Sequence, residues 1–253
     1  QVIGQALIAA ARTVDDRPCH SLHGYFLRPG DPGIPIVYEV DRIRDGKSFT
    51  TRRVVAVQRG EAIFNMSASF HVVEAGLEHQ AEMPSVPPPE DCIDEFEAFL
   101  AHADELPEGM KGMQAGMQKM MQERPIEMRR VEPHSFVKPS KRPPFQNAWL
   151  RIREPLPDDA SLHQCILAYA SDMGILSTCM LPHGKSFGSG LMVASLDHSM
   201  WFHRPFRVDE WILFAQDSPA SGGSRGFTRG MMFSREGSLV ATVAQEGLIR
   251  TMS

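Results

Sequence analysis

The sequence predicts an α+β fold that is built as a tandem repeat. In each half an apolar helical segment comes before a run of strand-like segments, which favours antiparallel sheets over alternating β-α-β units. Gln5–Ala11 matches Gln164–Ala170 at a separation of 159 positions, and Gly60 matches Gly237 at a separation of 177. The separation grows between the helix and the strands, so the second copy carries an additional loop of roughly fifteen residues near 174–190. A unit repeated in the same order constrains the fold more than local propensity does.

The first half is predicted to contain one helix and four strands. Apolar residues surround the helix on all sides, as expected of a buried helix. Gly46 and Gly60 mark turns between strands. The elements are a helix over Gln1–Val14 and strands over His20–Leu27, Ile36–Arg44, Ser48–Gln58 and Ala62–Val73.

The second half repeats this pattern with one strand more. A strand-like segment, Asn147–Arg153, precedes its helix and has no counterpart before Gln1. We therefore expect that a first strand is missing from the N-terminus. The polar segment Asp158–Ser161 is typical of a helix cap. The further elements are a helix over Ala160–Met173 and strands over Met192–Phe202, Glu210–Gln216, Arg225–Ser234 and Leu239–Ile249.

The middle of the chain has a different composition from the two halves. Prolines cluster in 84–89 and 125–144, which is typical of extended connectors. Between them we predict short helices around Glu95–His102 and in the methionine-rich segment 110–121. The predicted organisation is a first domain over residues 1–83, a linker with short helices over 84–144 and a second domain over 145–253.

The methionines of the linker recur at helical spacing. A methionine thioether adapts to irregular apolar ligands such as acyl chains. A short amphipathic helix that packs on the core or on a neighbouring subunit explains the same spacing, and we favour it because such stripes more often serve packing. The residues concerned are Met110, Met113, Met117, Met120 and Met121.

Composition argues against several functional classes. The 253 residues are 42% hydrophobic and 23% charged, as in an ordinary globular protein, and the net charge of −5 offers no cationic surface for nucleic acid. The four cysteines form no CxxC pair and the histidines show no metal-binding spacing, so we expect no zinc, no disulfide framework and no other cofactor. No bilayer-spanning apolar stretch or signal peptide is recognisable. These features predict a cytoplasmic protein that binds neither membranes nor nucleic acid.

One near-match to a catalytic motif gives an alternative. Gly184–Gly188 fits the GxSxG pattern of serine hydrolases, with Ser186 as the nucleophile. That pattern requires a strand before the serine and a helix after it. Pro182 and His183 precede the motif instead, and strand residues follow it. A serine hydrolase that uses Ser186 is therefore a minor alternative.

Four stretches of the chain are long and distinctive. They are HSLHGYFLRPGD at 20–31, RDGKSFTTR at 44–52, DHSMWFHRP at 197–205 and QEGLIR at 245–250. Together they resemble the acyl-CoA thioesterase II family over nearly all of the chain apart from the linker. The resemblance implies acyl-CoA as the substrate and a tandem double hotdog, in which each half is an antiparallel sheet wrapped round a long central helix.

The resemblance also implies a catalytic trio of Asp172 on the second helix, Ser195 in the next strand and Gln245 in the last strand. A thioester carbonyl is electrophilic enough to be attacked by a well-held water. We expect Asp172 to orient this water and to take its proton, while Ser195 and Gln245 hold it by hydrogen bonds. The residues that the repeat places at these positions in the first half are Thr13, Ser21 and Ala68.

The predicted function is hydrolysis of acyl-CoA thioesters to free fatty acid and coenzyme A. The alternative is a non-catalytic acyl-CoA-binding protein of the same fold, which the intact trio disfavours. A hydratase or dehydratase would need an Asp/His or His/Glu pair at a motif position, and we interpret Asp197 and His198 as supporting or packing residues instead. Hotdog sheets commonly join edge to edge and an exposed sheet edge favours such pairing, so we also expect a homo-oligomer.

Overall fold

A computed structural model describes residues 1–101, 112, 114–132, 139–187 and 190–252. Over these ranges the chain forms one antiparallel sheet of twelve strands, four α-helices and two 3₁₀ helices. The α-helices are α1 (Val2–Ala11), α2 (Glu95–Ala101), α3 (Gln114–Glu123) and α4 (Ala160–Ser171), and the 3₁₀ helices are Pro89–Asp91 and Ile175–His183.

The strands of the two halves agree closely with the prediction, and those of the linker do not. The strands are β1 (Cys19–Phe26), β2 (Val37–Asp45), β3 (Phe49–Gln58), β4 (Glu61–His71), β5 (Ile93–Asp94), β6 (Ile126–Arg130), β7 (Phe145–Ile152), β8 (Leu191–Ser195), β9 (Asp197–Phe202), β10 (Ile212–Gly222), β11 (Arg225–Ser234) and β12 (Leu239–Thr251).

Two differences in the second half have local causes. The segment predicted as one strand, Met192–Phe202, is divided at Leu196 into β8 and β9, and both of these strands pair with β12. β10 continues to Gly222, beyond the predicted end at Gln216, because the register shifts between Asp217 and Ala220 and pairing with β11 then resumes. A bulge of this kind interrupts the alternation on which a strand prediction depends.

The sheet joins the two halves of the chain edge to edge. Its order is β2-β3-β4-β1-β9-β12-β11-β10-β7-β6-β5, and β8 pairs with β12 beside this path. The junction is the antiparallel pair β1–β9, in which Leu22 lies opposite Met200 and Gly24 opposite His198. The four strands that follow α1 therefore lie on one side of this junction.

The helices α1 and α4 pack against each other over the sheet. A β-carbon at Gly4 would lie 2.7 Å from the carbonyl oxygen of Cys165, so only glycine permits this approach. The core contains side chains from both halves, among them the buried Leu7, Leu22, Phe64, Leu167 and Phe214. α4 is capped by Asp159, whose carboxylate accepts hydrogen bonds from two backbone N–H groups of the first turn.

The linker contributes two strands that the sequence did not predict. β6 lies within the proline-rich segment 125–144 and pairs with β7, and β5 pairs with β6. β6 was not predicted because a charged residue such as Glu127 is usually exposed. In the structure Glu127 is buried and forms ion pairs with Arg129 and Arg151. Helix α3 covers part of the methionine-rich segment, whereas Met110 and Met113 lie outside the described residues.

One helical stretch is long and apolar enough to cross a membrane by length and composition alone. It is Ala160–His183, which combines α4 with the second 3₁₀ helix. Its most apolar part is 67% buried inside the protein, as is usual for a core helix. We therefore interpret it as part of the core.

Candidate active site

Asp172, Ser195 and Gln245 lie within hydrogen-bonding distance of one another. The Ser195 hydroxyl donates to Oδ1 of Asp172 at 3.1 Å, and the Gln245 amide nitrogen donates to the same oxygen at 2.9 Å. That nitrogen also donates to the Ser195 oxygen at 2.8 Å. The structure thus brings together three side chains that are distant in the sequence.

Asp172 is held at the end of α4. It is the C-cap residue of this helix, and Gly174 then takes a left-handed conformation with φ of 77° that directs the chain into the 3₁₀ helix Ile175–His183. A carboxylate at the negative end of a helix dipole is unfavourable for stability. The two hydrogen bonds from Ser195 and Gln245 offset this cost, so the position is better explained by chemistry than by folding.

Ser195 and Gln245 are placed by the pairing of β8 with β12. Ser195 ends β8 opposite Gly247, and side chains two positions apart on a strand face the same side, so Gln245 and Gly247 share one face. A β-carbon at Gly247 would lie 2.4 Å from Cδ1 of Leu176. Glycine at this position therefore lets the 3₁₀ helix pack on the sheet beside the trio.

One carboxylate oxygen of the trio is available for chemistry. Asp172 and Ser195 are partly exposed, whereas Gln245 is completely buried. Both hydrogen bonds to the carboxylate reach Oδ1, and no group within the described ranges donates to Oδ2. The Oδ2 atom can therefore accept a hydrogen bond from water.

Two further side chains contact the trio from the interior. Nδ1 of His198 lies 2.6 Å from the amide oxygen of Gln245, and Nε2 lies 2.9 Å from the Ser171 hydroxyl. Both residues have no exposed surface, and burial lowers the pKa of His198. From the sequence, His198 was expected to be a supporting or packing residue, and no role was predicted for Ser171. The inward position of His198, three residues after Ser195 on the next strand, is the signal that could have found it.

Other candidate chemistries have less support. Ser186 follows a 3₁₀ helix and the Gly184 turn, so the strand that a nucleophile elbow needs before its serine is absent. Asp197 accepts a hydrogen bond from the Glu246 backbone N–H at 2.8 Å, which gives it a structural role. In the part of the chain that the structure describes, no three His, Cys, Asp or Glu side chains are grouped to hold a metal ion.

The first-half counterpart of Ser195 is not the residue that the sequence alignment indicated. Ser195 lies opposite Gly247, and the residue 177 positions before Gly247 is Phe70. Phe70 lies opposite Cys19, whereas Ser21 follows a register shift in β1. Cys19 rather than Ser21 therefore corresponds to Ser195, and all three trio positions differ between the halves.

Comparison with known proteins identifies the family and agrees with the fold. The family model described as acyl-CoA thioesterase matches residues 117–248, and the model described as acyl-CoA thioesterase N-terminal domain matches residues 1–71. The chain is 46% identical to acyl-coenzyme A thioesterase 8 of Mus musculus, over 99% of this chain and 79% of the mouse protein.

Two solved structures extend this comparison. Acyl-CoA thioesterase II TesB2 from Mycobacterium marinum superposes with a TM-score of 0.80 at 44% identity, over 100% of this chain and 88% of that chain. A hot dog fold protein from Alicyclobacillus acidocaldarius superposes with a TM-score of 0.73 at 17% identity, over 100% and 86% of the two chains. The second likeness concerns the fold alone.

The architecture is therefore an α+β hotdog fold whose site joins a carboxylate, a hydroxyl and an amide. The chain belongs to the acyl-CoA thioesterase II family and is an enzyme of the thioester hydrolase class.

Proposed function

We propose that this protein hydrolyses acyl-CoA thioesters to free fatty acid and coenzyme A through a water molecule activated by Asp172. The observation that carries the proposal is the arrangement of Asp172, in which Oδ1 is engaged by Ser195 and Gln245 while Oδ2 is available. The names and identities of the relatives support the substrate class.

The proposed reaction needs no covalent intermediate. Asp172 takes a proton from the bound water through Oδ2 while the water oxygen attacks the thioester carbonyl carbon. The tetrahedral intermediate then collapses, the carbon–sulfur bond breaks, and the proton on Asp172 passes to the leaving thiolate. Ser195 and Gln245 hold the carboxylate through Oδ1, and the Ser195 oxygen, which accepts a hydrogen bond from Gln245, can accept a second one from the water.

Ser195 is less suited to act as the nucleophile. Its oxygen already accepts a hydrogen bond from Gln245, and its proton is directed at Asp172. The histidine in this network, His198, contacts Gln245 and Ser171. A Ser–His pair of the usual type is therefore not formed here.

We also propose that the chain consists of two hotdog units in tandem, with boundaries near 1–83 and 145–253. The support is the 177-residue separation between Gly60 and Gly237, together with the strand order, which runs β1-β4-β3-β2 on one side of the β1–β9 junction and β9-β12-β11-β10 on the other. A homo-oligomeric state and a cytoplasmic location stay predictions.

A thiol-release assay tests the function. The intact enzyme is offered acyl-CoAs of several chain lengths, together with Asp172→Asn, which keeps the size of the side chain and removes the base. We expect thiol release from the intact enzyme and a loss of about 10³-fold in kcat for Asp172→Asn, within the range of general base catalysis. Asp217→Asn is the matched control, because Asp217 only pairs with Arg229 on the surface.

The same assay separates the two candidate functions. A non-catalytic acyl-CoA-binding protein would bind acyl-CoA, measured by calorimetry, and would release no thiol from any chain length. Undiminished turnover by Asp172→Asn would instead contradict the assignment of the base.

A further inference from the structure

The hydrogen bonds around Gln245 allow one assignment of protons. A side-chain amide has an oxygen that accepts and a nitrogen that donates two hydrogens. The nitrogen of Gln245 uses both hydrogens, one toward Asp172 and one toward Ser195. Its oxygen lies 2.6 Å from Nδ1 of His198, so Nδ1 must carry a proton.

The second nitrogen of the imidazole completes the assignment. Burial lowers the pKa of His198, so the ring is neutral and carries one proton. With that proton on Nδ1, Nε2 is an acceptor, and its partner at 2.9 Å is the Ser171 hydroxyl. The Ser171 hydroxyl also lies 3.0 Å from the carbonyl oxygen of Ala168, and in this assignment its single proton goes to Nε2 of His198 instead. His198 donates to Gln245, and Gln245 donates to the two reactive side chains.

The opposite assignment fails at the catalytic carboxylate. If the proton were on Nε2, the Nδ1 lone pair would face the amide oxygen of Gln245. The amide would have to turn over to relieve that repulsion. Its oxygen would then face Oδ1 of Asp172, and Ser195 would lose its donor.

We propose that His198 is a positioning residue which, as the Nδ1–H tautomer, holds the Gln245 amide in its productive orientation. This proposal rests on the proposed function and extends it to the buried His198. His198 does not act on the substrate, because it has no exposed surface and both ring nitrogens are engaged.

Two variants of His198 separate hydrogen bonding from packing. His198→Leu is close to histidine in size but has no donor, whereas His198→Asn is smaller and can place its amide nitrogen where Nδ1 lies. We expect His198→Leu to lower kcat about 10- to 100-fold with little change in KM, a usual effect of losing a supporting hydrogen bond. His198→Asn should keep kcat within about fivefold of the intact enzyme, since the donor is restored. A His198→Leu enzyme as active as His198→Asn, or more active, would overturn the proposal.

The tautomer can be observed without any activity measurement. In protein labelled with ¹⁵N-histidine, NMR distinguishes a protonated Nδ1 from a protonated Nε2. The His198 signals are identified by their shift in Ser171→Ala, in which Nε2 loses its donor while the Nδ1 contact stays. We expect a protonated Nδ1 and an unprotonated Nε2. A protonated Nε2 would overturn the proposal even if the enzyme hydrolyses acyl-CoA, and the expected tautomer in an inactive protein would contradict the proposed function alone.

Discussion

The two halves of the chain use corresponding positions in opposite ways. In the second half the end of α4 presents Asp172 to Ser195 and Gln245. In the first half the residue 159 positions earlier is Thr13, and the buried Arg52 reaches it. The guanidinium donates to the Thr13 hydroxyl at 2.7 Å and to its carbonyl oxygen at 3.0 Å. One half thus holds a partly exposed anion, and the other a buried cation.

The strand registers place Arg52 beside the first-half position that corresponds to Gln245 and has no side-chain amide. Arg52 lies opposite Ala68, which stands where the second half has Gln245. Thr228 lies opposite Gln245 and contacts its backbone oxygen. Where the second half has this threonine, the first half has a long cationic side chain, which donates to Thr13 as Gln245 donates to Asp172. Arg52 also pairs with Asp45 at 2.6 Å, so its charge is compensated.

From this difference we propose that the first half has a structural role and that the second half carries the proposed chemistry. A buried charge with several hydrogen bonds is costly to disrupt, so the first half has little freedom to accept a substrate. The second half leaves Oδ2 of Asp172 without a donor among the described residues. The predictions below test this division.

The largest difference is expected for Gln245→Ala. This change removes the donor to both Asp172 and Ser195, and loss of such a preorganised donor commonly costs about 10²- to 10³-fold in kcat. Thr13→Val, at the first-half counterpart of Asp172, should leave kcat within about twofold. Steady-state kinetics of the two variants, normalised to folded protein, measure the contrast. Equal losses in both would show that the halves do not differ in function.

A smaller effect is expected for Ser195→Ala. Ser195 contributes one hydrogen bond to Asp172 and accepts one from Gln245, so we expect a decrease in kcat of about tenfold. The matched control is Cys19→Ser, which changes the corresponding first-half residue and should not alter kcat. Complete loss of activity in Ser195→Ala would instead indicate that Ser195 is the nucleophile.

In the first half, loss of a side-chain hydrogen bond should lower the stability of the protein. Thr13→Val removes the acceptor of a hydrogen bond from the buried Arg52, so we expect the free energy of unfolding to fall by about 1 to 3 kcal/mol. Denaturant unfolding measures this value. An unchanged stability would contradict the structural role assigned to Arg52.

The smallest effect concerns pH. Burial lowers the pKa of His198 in the folded protein. Below about pH 6.5 the unfolded chain therefore binds a proton at this residue more readily than the folded protein does. Stability should therefore fall as the pH decreases below that value, by at most about 1.4 kcal/mol per pH unit from this residue. His198→Asn should show a shallower dependence in unfolding measured between about pH 7.5 and about pH 5.5. Identical slopes would contradict the buried neutral imidazole.

Much of this fold could be predicted because the repeated helix and strands follow simple alternation. The strand β6 could not, since its buried Glu127 looks like a surface residue until Arg129 and Arg151 are seen beside it. The predicted first-half counterpart of Ser195 was also wrong, because matching positions by their separation in the sequence cannot detect the register shift in β1. The sequence also did not show which residues His198 contacts. Its partners Gln245 and Ser171 are remote in the sequence or lie on another element.

The division between the halves is tested most directly by a crystal structure with a non-hydrolysable acyl-CoA analogue. The account predicts that the carbonyl carbon, or the atom that replaces it, lies beside Asp172, with a water or its substitute against Oδ2. It also predicts that Arg52 keeps its hydrogen bonds to Thr13. An analogue bound with its carbonyl beside Thr13, and with Arg52 displaced, would contradict the account.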